Sequence, residues 1–496
     1  MTEARTAGEP NLNGRTSPAA EGGDYYPRSN PRREGDAAGR PPSSASIPTV
    51  VNAPPAAGTA RLVSLGCKVN QAELRSWQMA LSAAGVRLVD GAEPAELVIV
   101  NTCSVTVDAD KTSRRTIRAA AKSSPNAFVV VAGCYVTVAP EAVTSIPGVD
   151  LVVPGEDKDT VLQRLADHGV IAGPPEDRWT HPSERANWVT LGLSSVRRAR
   201  AFVKVQDGCN AFCTYCIVPR ARGVQRSRAV DDVVNEINVL YRLGYREAVL
   251  TGVQIGDYGR DWDPTTRRVD RSRGGALTEL VEAVLSRTPV PRVRISSIQP
   301  QDWPDGLLEL WRDPRMCRHL HLPLQSGSDS VLRRMGRRYR SADFRALVHR
   351  VRSLIPEVAL TADLMVGFPG ETPAEHAASL AFVREMAFAE QHVFRYSPRP
   401  DTAAARLADD VDPAVKRERA AEARAVEAEL RAAYRSRFLG REMPVLWEEP
   451  VGEGRWAGLT DNYLGVVAIG DDLEAKFTRT RLAADDGQRF RGEVCP

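Results

Sequence analysis

The sequence contains no apolar run approaching the roughly 20 residues needed to span a bilayer, which argues against a membrane protein. Its N-terminus also lacks the uninterrupted apolar segment of a secretory signal, so we expect a cytoplasmic protein. The sequence also has little excess of either charge. Its net charge of +3 is too small to establish a polyanionic partner. Arginines nevertheless cluster in 197–228 and 312–340, so local basic patches remain candidates. The 43% hydrophobic and 26% charged composition is that of a soluble globular protein.

Eight cysteines are present, and in a reducing compartment they are not expected to form a disulfide framework. Their spacing indicates metal binding or catalysis instead. Six of them fall into the two groups described below, whereas Cys317 and Cys495 belong to neither group and are interpreted as structural.

The length of 496 residues suggests about three domains of roughly 150 residues. Residues 1–58 are rich in Pro, Gly, Ala, Ser and Arg and are predicted to be a disordered tail. Residues 59–172 alternate strands and helices, which predicts an α/β, doubly wound parallel sheet. After a Pro- and charge-rich connection, residues 195–430 repeat this alternation and predict a (β/α) partial barrel, whereas 437–496 predict a small antiparallel β-barrel.

Cys67, Cys103 and Cys134, here called the sheet triad, each follow a predicted strand directly, in RLVSLGC, AELVIVNTC and AFVVVAGC. The carboxyl ends of parallel strands lie along one edge of a sheet, where open α/β folds bind ligands. A single cysteine at such a position is more often a small buried hydrophobe. Three in the same topological position predict a common site.

Cys209, Cys213 and Cys216, here called the barrel triad, stand in CNAFCTYC after the first strand of the predicted barrel. Three thiolates on one tight loop leave one iron of a 4Fe-4S cube without a protein ligand, so that a substrate can bind it. Zinc is the alternative, but a structural zinc site normally has four ligands, and no Cys or His nearby in sequence completes the set.

The CNAFCTYC loop resembles that of the radical S-adenosylmethionine (SAM) superfamily, in which the open iron binds SAM. The resemblance implies that Tyr215 lies near the adenine, although structural packing is an equal alternative. Gly252 and Gly256 in TGVQIGDYG lie where the superfamily contacts the methionine end of SAM, but glycines alone are weak evidence. Four further polar residues of the barrel either line this pocket or close turns and cap helices: Gln325, Ser326, Asp363 and Glu371.

The motifs LGCKVNQAE, NTCSVT and AGCY, placed ahead of this barrel, resemble the methylthiotransferases over about residues 58–496. The resemblance implies that the sheet triad holds a second 4Fe-4S cluster. It also implies that SAM serves both as the radical source and as the methyl donor, and that the second cluster presents the sulfur. A low-potential electron donor such as flavodoxin or ferredoxin is then required.

Within this family, LGCKVNQ, RISSIQP, HLHLPLQSGSD and HVFRYSPRPDT resemble the MtaB-like branch, which acts on threonylcarbamoyladenosine beside the tRNA anticodon. The implied reaction is methylthiolation of carbon 2 of that nucleoside, with the anticodon stem-loop as partner. Methylthiolation of isopentenyladenosine in tRNA or of a ribosomal-protein side chain is the alternative reaction, and a noncatalytic Fe-S RNA-binding protein is the alternative class.

The terminal β-barrel is similar to the TRAM RNA-binding module, which suits recognition of a single-stranded RNA loop. Three of its aromatic residues, Trp447, Trp456 and Tyr463, are candidates for stacking on bases. Packing in the core of the barrel is the alternative use of each.

Overall fold

The computed structural model describes residues 56–91, 93–172, 199–261, 275–304 and 306–495. Most of the predicted disordered tail and nearly all of the predicted connection before residue 195 lie outside these ranges. Within them, no helix is both long and apolar enough to cross a bilayer.

The first sheet is parallel throughout, with strand order β2-β1-β3-β4-β5. Its strands are β1 (Thr59–Ser64), β2 (Arg87–Leu88), β3 (Leu97–Thr102), β4 (Phe128–Gly133) and β5 (Leu151–Pro154). Its helices are α1 (Lys68–Ala83), α2 (Val107–Ser123), α3 (Cys134–Val138), α4 (Pro140–Thr144) and α5 (Val161–Asp167). Every residue of β3 and β4 is buried, as expected for central strands covered on both faces.

The second sheet system is a partial barrel in two parallel halves, β6-β9-β10 and β11-β12-β13, joined by parallel bridges from Val293 to Met316 and from Ser297 to His321. Its strands are β6 (Arg200–Lys204), β9 (Glu247–Thr251), β10 (Arg292–Ile295), β11 (His319–His321), β12 (Ala359–Val366) and β13 (Glu390–Arg395). Two short strands, β7 (Gln206–Asp207) and β8 (Arg226–Ser227), form a separate antiparallel pair. The helices of this region are α6 (Val218–Arg222), α7 (Val230–Arg242), α8 (Ala276–Arg287), α9 (Asp329–Arg334), α10 (Ser341–Leu354), α11 (Pro373–Met386) and α12 (Pro413–Ser436). The stretch DGLLELWRD contains a 3-10 helix over Leu307–Arg312.

The two faces of the barrel strands differ in polarity. Outward residues such as Leu250 and Leu360 belong to hydrophobic clusters with the surrounding helices. The alternate residues face the interior of the barrel, here called the lumen, and are largely polar or charged: Arg200, Glu247, Arg292, Arg294, His319, His321, Thr361 and Asp363. Branched apolar residues usually fill a (β/α) barrel, whereas this lumen contains buried polar side chains that pair with one another, as Glu247 does with Arg294.

The C-terminal domain is a closed five-stranded barrel with order β14-β15-β16-β18-β17. Its strands are β14 (Glu442–Gly452), β15 (Arg455–Thr460), β16 (Gly465–Ile469), β17 (Phe477–Asp485) and β18 (Phe490–Val494). The predicted small barrel is confirmed, with one parallel pairing, β16 with β18, among antiparallel ones. Strand β17 was not predicted from the sequence; in the structure its Arg479 and Arg481 are exposed, whereas the alternate residues Thr480 and Leu482 are buried.

The turn between β15 and β16 closes the base of the lumen. The Tyr463 ring stacks on His319, with ring centroids 4.3 Å apart. Arg294 donates from Nη1 to the Asp461 carbonyl at 3.0 Å, and Arg318 pairs with the Asp461 carboxylate at 2.6 Å. These contacts lie near the amino ends of the barrel strands, opposite the cysteine loop, so Tyr463 packs inside the protein.

The other two aromatic candidates for base stacking also contribute to packing. Trp447 is fully buried, and its Nε1 donates to Thr478 Oγ1 at 2.8 Å. Trp456 is partly buried against the same cluster. Core packing, the alternative weighed from the sequence, is therefore the use of Trp447 and Tyr463.

We expect Trp447→Ala to lower the free energy of unfolding of the C-terminal barrel by about 3–5 kcal/mol, because it removes a large side chain from a closed core. Urea denaturation followed by circular dichroism measures this. The control Ile469→Ala removes a side chain that is 76% exposed and is expected to change little. Equal stability of the two variants would contradict this description of the core.

Candidate functional site

The sheet triad lies where the strand pattern predicted. Cys67 caps α1 after β1, Cys103 follows β3, and Cys134 begins α3 directly after β4. The loops approach closely, because a Cβ on Gly66 would lie 2.6 Å from Cys103 Sγ, and Gly66 adopts a φ of +88°. The three thiols therefore share one edge of the parallel sheet.

The barrel triad lies on a loop that is fixed from several sides. The Cys216 N–H donates to the Cys213 carbonyl at 2.9 Å, which closes a tight turn. Between them, the Thr214 N–H donates to the Met335 carbonyl at 3.0 Å, and the Ala404 N–H donates to the Thr214 carbonyl at 2.7 Å. Segments after β11 and β13 thus hold the loop in place.

The chemistry of these thiols fits bound iron-sulfur clusters. Burial raises the pKa of Cys103 and of Cys209 to about 11 and that of Cys216 to about 12, so these buried thiols need a nearby cation in order to ionise. In the described ranges, no three Cys, His, Asp or Glu side chains converge so as to hold one metal ion. A cube binds each thiolate at a different iron, so its ligands do not need that convergence.

A buried arginine contacts the barrel triad. Arg337 donates from Nη1 to Cys213 Sγ at 3.2 Å and to Gln299 Oε1 at 3.1 Å, and from Nη2 to the Pro323 carbonyl at 3.2 Å. Its side chain also lies over the Tyr339 ring. None of these partners is a carboxylate, so the positive charge of Arg337 lies buried beside Cys213 without a carboxylate among its contacts. An anionic cluster bound at Cys213 would compensate this charge.

A buried ion network joins the sheet domain to the barrel. Glu73 of α1 accepts hydrogen bonds from Lys158 at 2.8 Å and from Arg222 at 3.2 Å. Arg222 also donates to Asp207 at 2.8 Å, and Lys204 lies 3.4 Å from Glu73. Burial alone would raise the pKa of Glu73, but Lys158, Arg222 and Lys204 outweigh it and hold this pKa well below its usual value.

Arg222 connects the segment after the barrel triad to the sheet triad. It follows CNAFCTYC by a few residues, and its Nη2 lies 3.8 Å from Cys67 Sγ. Arg222 also donates to Asn70 Oδ1, while Asn70 Nδ2 donates at 3.0 Å to the carbonyl of Thr102, next to Cys103. The motif LGCKVNQAE therefore supplies Asn70 and Glu73 as the groups that fix one triad against the other.

A second connection comes from the segment after β13. Arg399 is buried and donates to Asp110 at 2.7 Å and to Ser104 Oγ at 2.8 Å, beside Cys103. The same segment contains Ala404, which contacts the barrel triad as described above. The motif HVFRYSPRPDT contains Arg399, and its pattern alone did not indicate this role for the arginine.

The glycines predicted to contact SAM have packing reasons of their own. A Cβ on Gly252 would lie 2.9 Å from Gln206 Oε1, and one on Gly256 would lie 2.6 Å from Asp302 Cβ. Tyr215 packs, partly buried, against a hydrophobic cluster that contains Met335. Contact of these three residues with SAM stays a prediction.

The remaining polar candidates divide between structure and lumen. Glu371 accepts from the Gly367 N–H at 2.6 Å and pairs with Arg419 at 2.8 Å, so it closes a turn. Asp363 faces the lumen, 3.2 Å from His321 Nε2. Burial and the nearby Arg294 lower the pKa of Lys68, the residue after Cys67, to about 8.

Comparison with protein families identifies two regions. Residues 203–383 match the radical SAM superfamily, and residues 59–154 match a family described as uncharacterized protein family UPF0004. The first match contains the barrel triad, and the second contains the sheet triad.

Curated relatives match over most of the chain. The threonylcarbamoyladenosine tRNA methylthiotransferase MtaB of Bacillus subtilis is 36% identical, over 84% of this chain and 92% of the relative. The MtaB protein of Thermotoga maritima is 35% identical, over 86% of this chain and 96% of the relative. The tRNA-2-methylthio-N(6)-dimethylallyladenosine synthase of Maricaulis maris is 32% identical, over 79% of this chain and 86% of the relative.

We expect Glu73→Gln to lower the free energy of unfolding by about 3–5 kcal/mol at pH 7, because it leaves buried Lys158 and Arg222 undercompensated. The ionised carboxylate stabilises the fold above the ordinary Glu pKa, and this contribution is lost as the pH falls toward the lower pKa of the folded state. Urea denaturation at pH 7 measures the loss. Glu93→Gln, in an exposed pair with Arg87, is the control and should change stability by less than about 0.5 kcal/mol.

Proposed function

Because this chain belongs to the radical SAM methylthiotransferase family, and within it to the branch that modifies threonylcarbamoyladenosine in tRNA, we propose that it methylthiolates carbon 2 of that nucleoside beside the anticodon, using two 4Fe-4S clusters. The observation that carries this proposal is the presence of two separate triads of thiols whose loops are joined by Arg222. Two such triads account for six ligands, three for each cluster.

Each triad would hold one cluster. Cys209, Cys213 and Cys216 would bind the SAM-cleaving cluster, and the sheet triad would bind the sulfur-presenting one. When bound, the clusters and SAM would supply the 5′-deoxyadenosyl radical that activates the C–H bond, together with the sulfur and methyl groups.

The protein's own contribution is charge and position. Arg337 donates to Cys213 and Arg222 lies beside Cys67, so each triad has one buried guanidinium in contact with a cysteine sulfur. Asn70 and Arg399 fix the loops of the sheet triad relative to the barrel. In the proposed reaction both triads would face one substrate position.

The polar lumen favours threonylcarbamoyladenosine over isopentenyladenosine as the substrate. The threonylcarbamoyl group has a carboxylate and a hydroxyl that could hydrogen-bond to lumen residues such as His321 and Thr361. A dimethylallyl group offers these side chains no hydrogen bond, so it would gain less binding energy from them.

The domain assignments follow the same account. We propose 59–172 as the domain of the sheet triad, 195–430 as the radical-generating barrel and 437–496 as the RNA-binding domain. The partners would be the tRNA anticodon stem-loop and a low-potential donor such as flavodoxin or ferredoxin, in the cytoplasm.

We expect anaerobic reconstitution to give about eight iron atoms per chain, four for each cluster. Cys67→Ala should retain about four, still cleave SAM to 5′-deoxyadenosine under dithionite, and form no methylthio product. Cys209→Ala should lose SAM cleavage. Iron analysis and mass spectrometry of product nucleosides provide the measurements.

The alternatives give different results in these assays. A noncatalytic Fe-S RNA-binding protein would bind the stem-loop without cleaving SAM, and a protein methylthiotransferase would modify a ribosomal peptide and leave tRNA unchanged. Product formation undiminished by Cys209→Ala would contradict the radical mechanism.

We expect the enzyme to prefer a stem-loop that contains threonylcarbamoyladenosine over one that contains isopentenyladenosine by at least about 100-fold in kcat/KM, because a site lined with hydrogen-bonding groups rejects an analogue that lacks them. Competition of the two RNAs in one reaction measures the ratio. Equal rates would show that the lumen does not read the threonylcarbamoyl group.

A further inference from the structure

Some exposed apolar residues lie close in sequence to the cysteines of the two triads. They are four of the ten exposed large hydrophobic side chains of the described residues: Val105, Val107, Phe212 and Val224. Exposed apolar side chains beside a reactive site are candidates for ligand contact. Of these four, only Phe212 is aromatic.

Phe212 stands between Cys209 and Cys213 with 69% of its surface exposed. Its φ is +48°, in the left-handed region that a non-glycine residue adopts at a cost. Neither burial of the ring nor backbone preference explains a phenylalanine here. An exposed, strained aromatic residue beside a reactive centre suggests a role in ligand contact.

The loop holds the backbone of Phe212 firmly on both sides. Before it, the Cys209 N–H donates to the Gly223 carbonyl at 3.3 Å, and Asn210 Oδ1 accepts from the Gln225 N–H at 3.3 Å. After it, Thr214 is bonded to the segment beyond β11. Val224, which is 65% exposed, lies between Gly223 and Gln225, the two residues that hydrogen-bond to this loop.

We propose that Phe212 is a stacking platform for a nucleobase of the substrate RNA loop, adjacent to the nucleoside that is modified. This inference rests on the proposed function, because it needs RNA at the cysteine end of the barrel. Aromatic faces bind unstacked bases of any sequence, and a ring on a fixed loop loses little entropy on binding. Exposed Arg115 and Arg118 of α2, the helix that follows Cys103, provide cations for the neighbouring phosphates.

Three variants of Phe212 separate stacking from other effects. Phe212→Gly removes the ring and accepts the positive φ without strain, so the loop should keep its shape. Phe212→Leu keeps apolar surface but has no aromatic face, whereas Phe212→Trp keeps the face. Leu354→Ala, which truncates an exposed apolar residue at the end of α10, is the matched control.

The readout is the Kd of the reconstituted enzyme for an anticodon stem-loop containing threonylcarbamoyladenosine, measured anaerobically by fluorescence anisotropy. We expect Phe212→Gly and Phe212→Leu to weaken binding by roughly 5- to 100-fold, the range for loss of one stacked base. Phe212→Trp and Leu354→Ala should bind within about 3-fold of the unaltered protein. Iron content and RNA-independent cleavage of SAM should be unchanged in all four.

Equal affinity of Phe212→Leu and Phe212→Trp for the RNA would overturn the proposal. The comparison of these two variants remains decisive if Phe212→Gly loses iron. Failure of the proposed function is a separate result: the unaltered protein would then form no methylthio nucleoside. If the unaltered protein forms the product and Phe212→Leu binds RNA normally, the stacking proposal is rejected while the proposed function stands.

Discussion

The ion pair between Glu73 and Arg222 is the interaction on which the site depends. Glu73 belongs to the helix that begins after Cys67, and Arg222 to the short helix that follows the barrel triad. Both side chains are buried, so separating the domains would leave charges unpaired in a low-dielectric interior. Such a pair adds little to net stability when intact but strongly disfavours other arrangements of the two domains. It therefore fixes where the two triads stand relative to each other.

The closed end of the lumen complements this junction. Tyr463 and Asp461 of the C-terminal barrel seal the amino ends of the barrel strands through His319 and Arg294. The lumen is thus closed at the end opposite the cysteine loop. Tyr463, a candidate for base stacking or for core packing on its sequence, contributes to this closure by stacking on His319. The exposed ring of Phe212 lies at the cysteine end.

The positions of the triads could be predicted because they depend on local pattern: a strand followed at once by a cysteine, and cysteines spaced on one loop. The partners that join them could not, since Glu73 and Arg222 are 149 residues apart and ion pairs leave no periodic signal. Arg337 was missed for a similar reason, because its arginine-rich segment resembles a solvated surface. The stretch HLHLPLQ alternates histidines with leucines, which indicates a strand with one polar and one apolar face. This alternation alone does not show which of the two faces lines the lumen.

The account's central claim is that the two triads act together on a nucleoside of tRNA. Mass spectrometry of tRNA nucleosides from cells that lack the gene, complemented either with the unaltered chain or with Cys67→Ala, tests it most directly. The account predicts that the 2-methylthio derivative of threonylcarbamoyladenosine disappears with the gene and returns only with the unaltered chain. Persistence of that nucleoside without the gene, or its return with Cys67→Ala, would contradict the account.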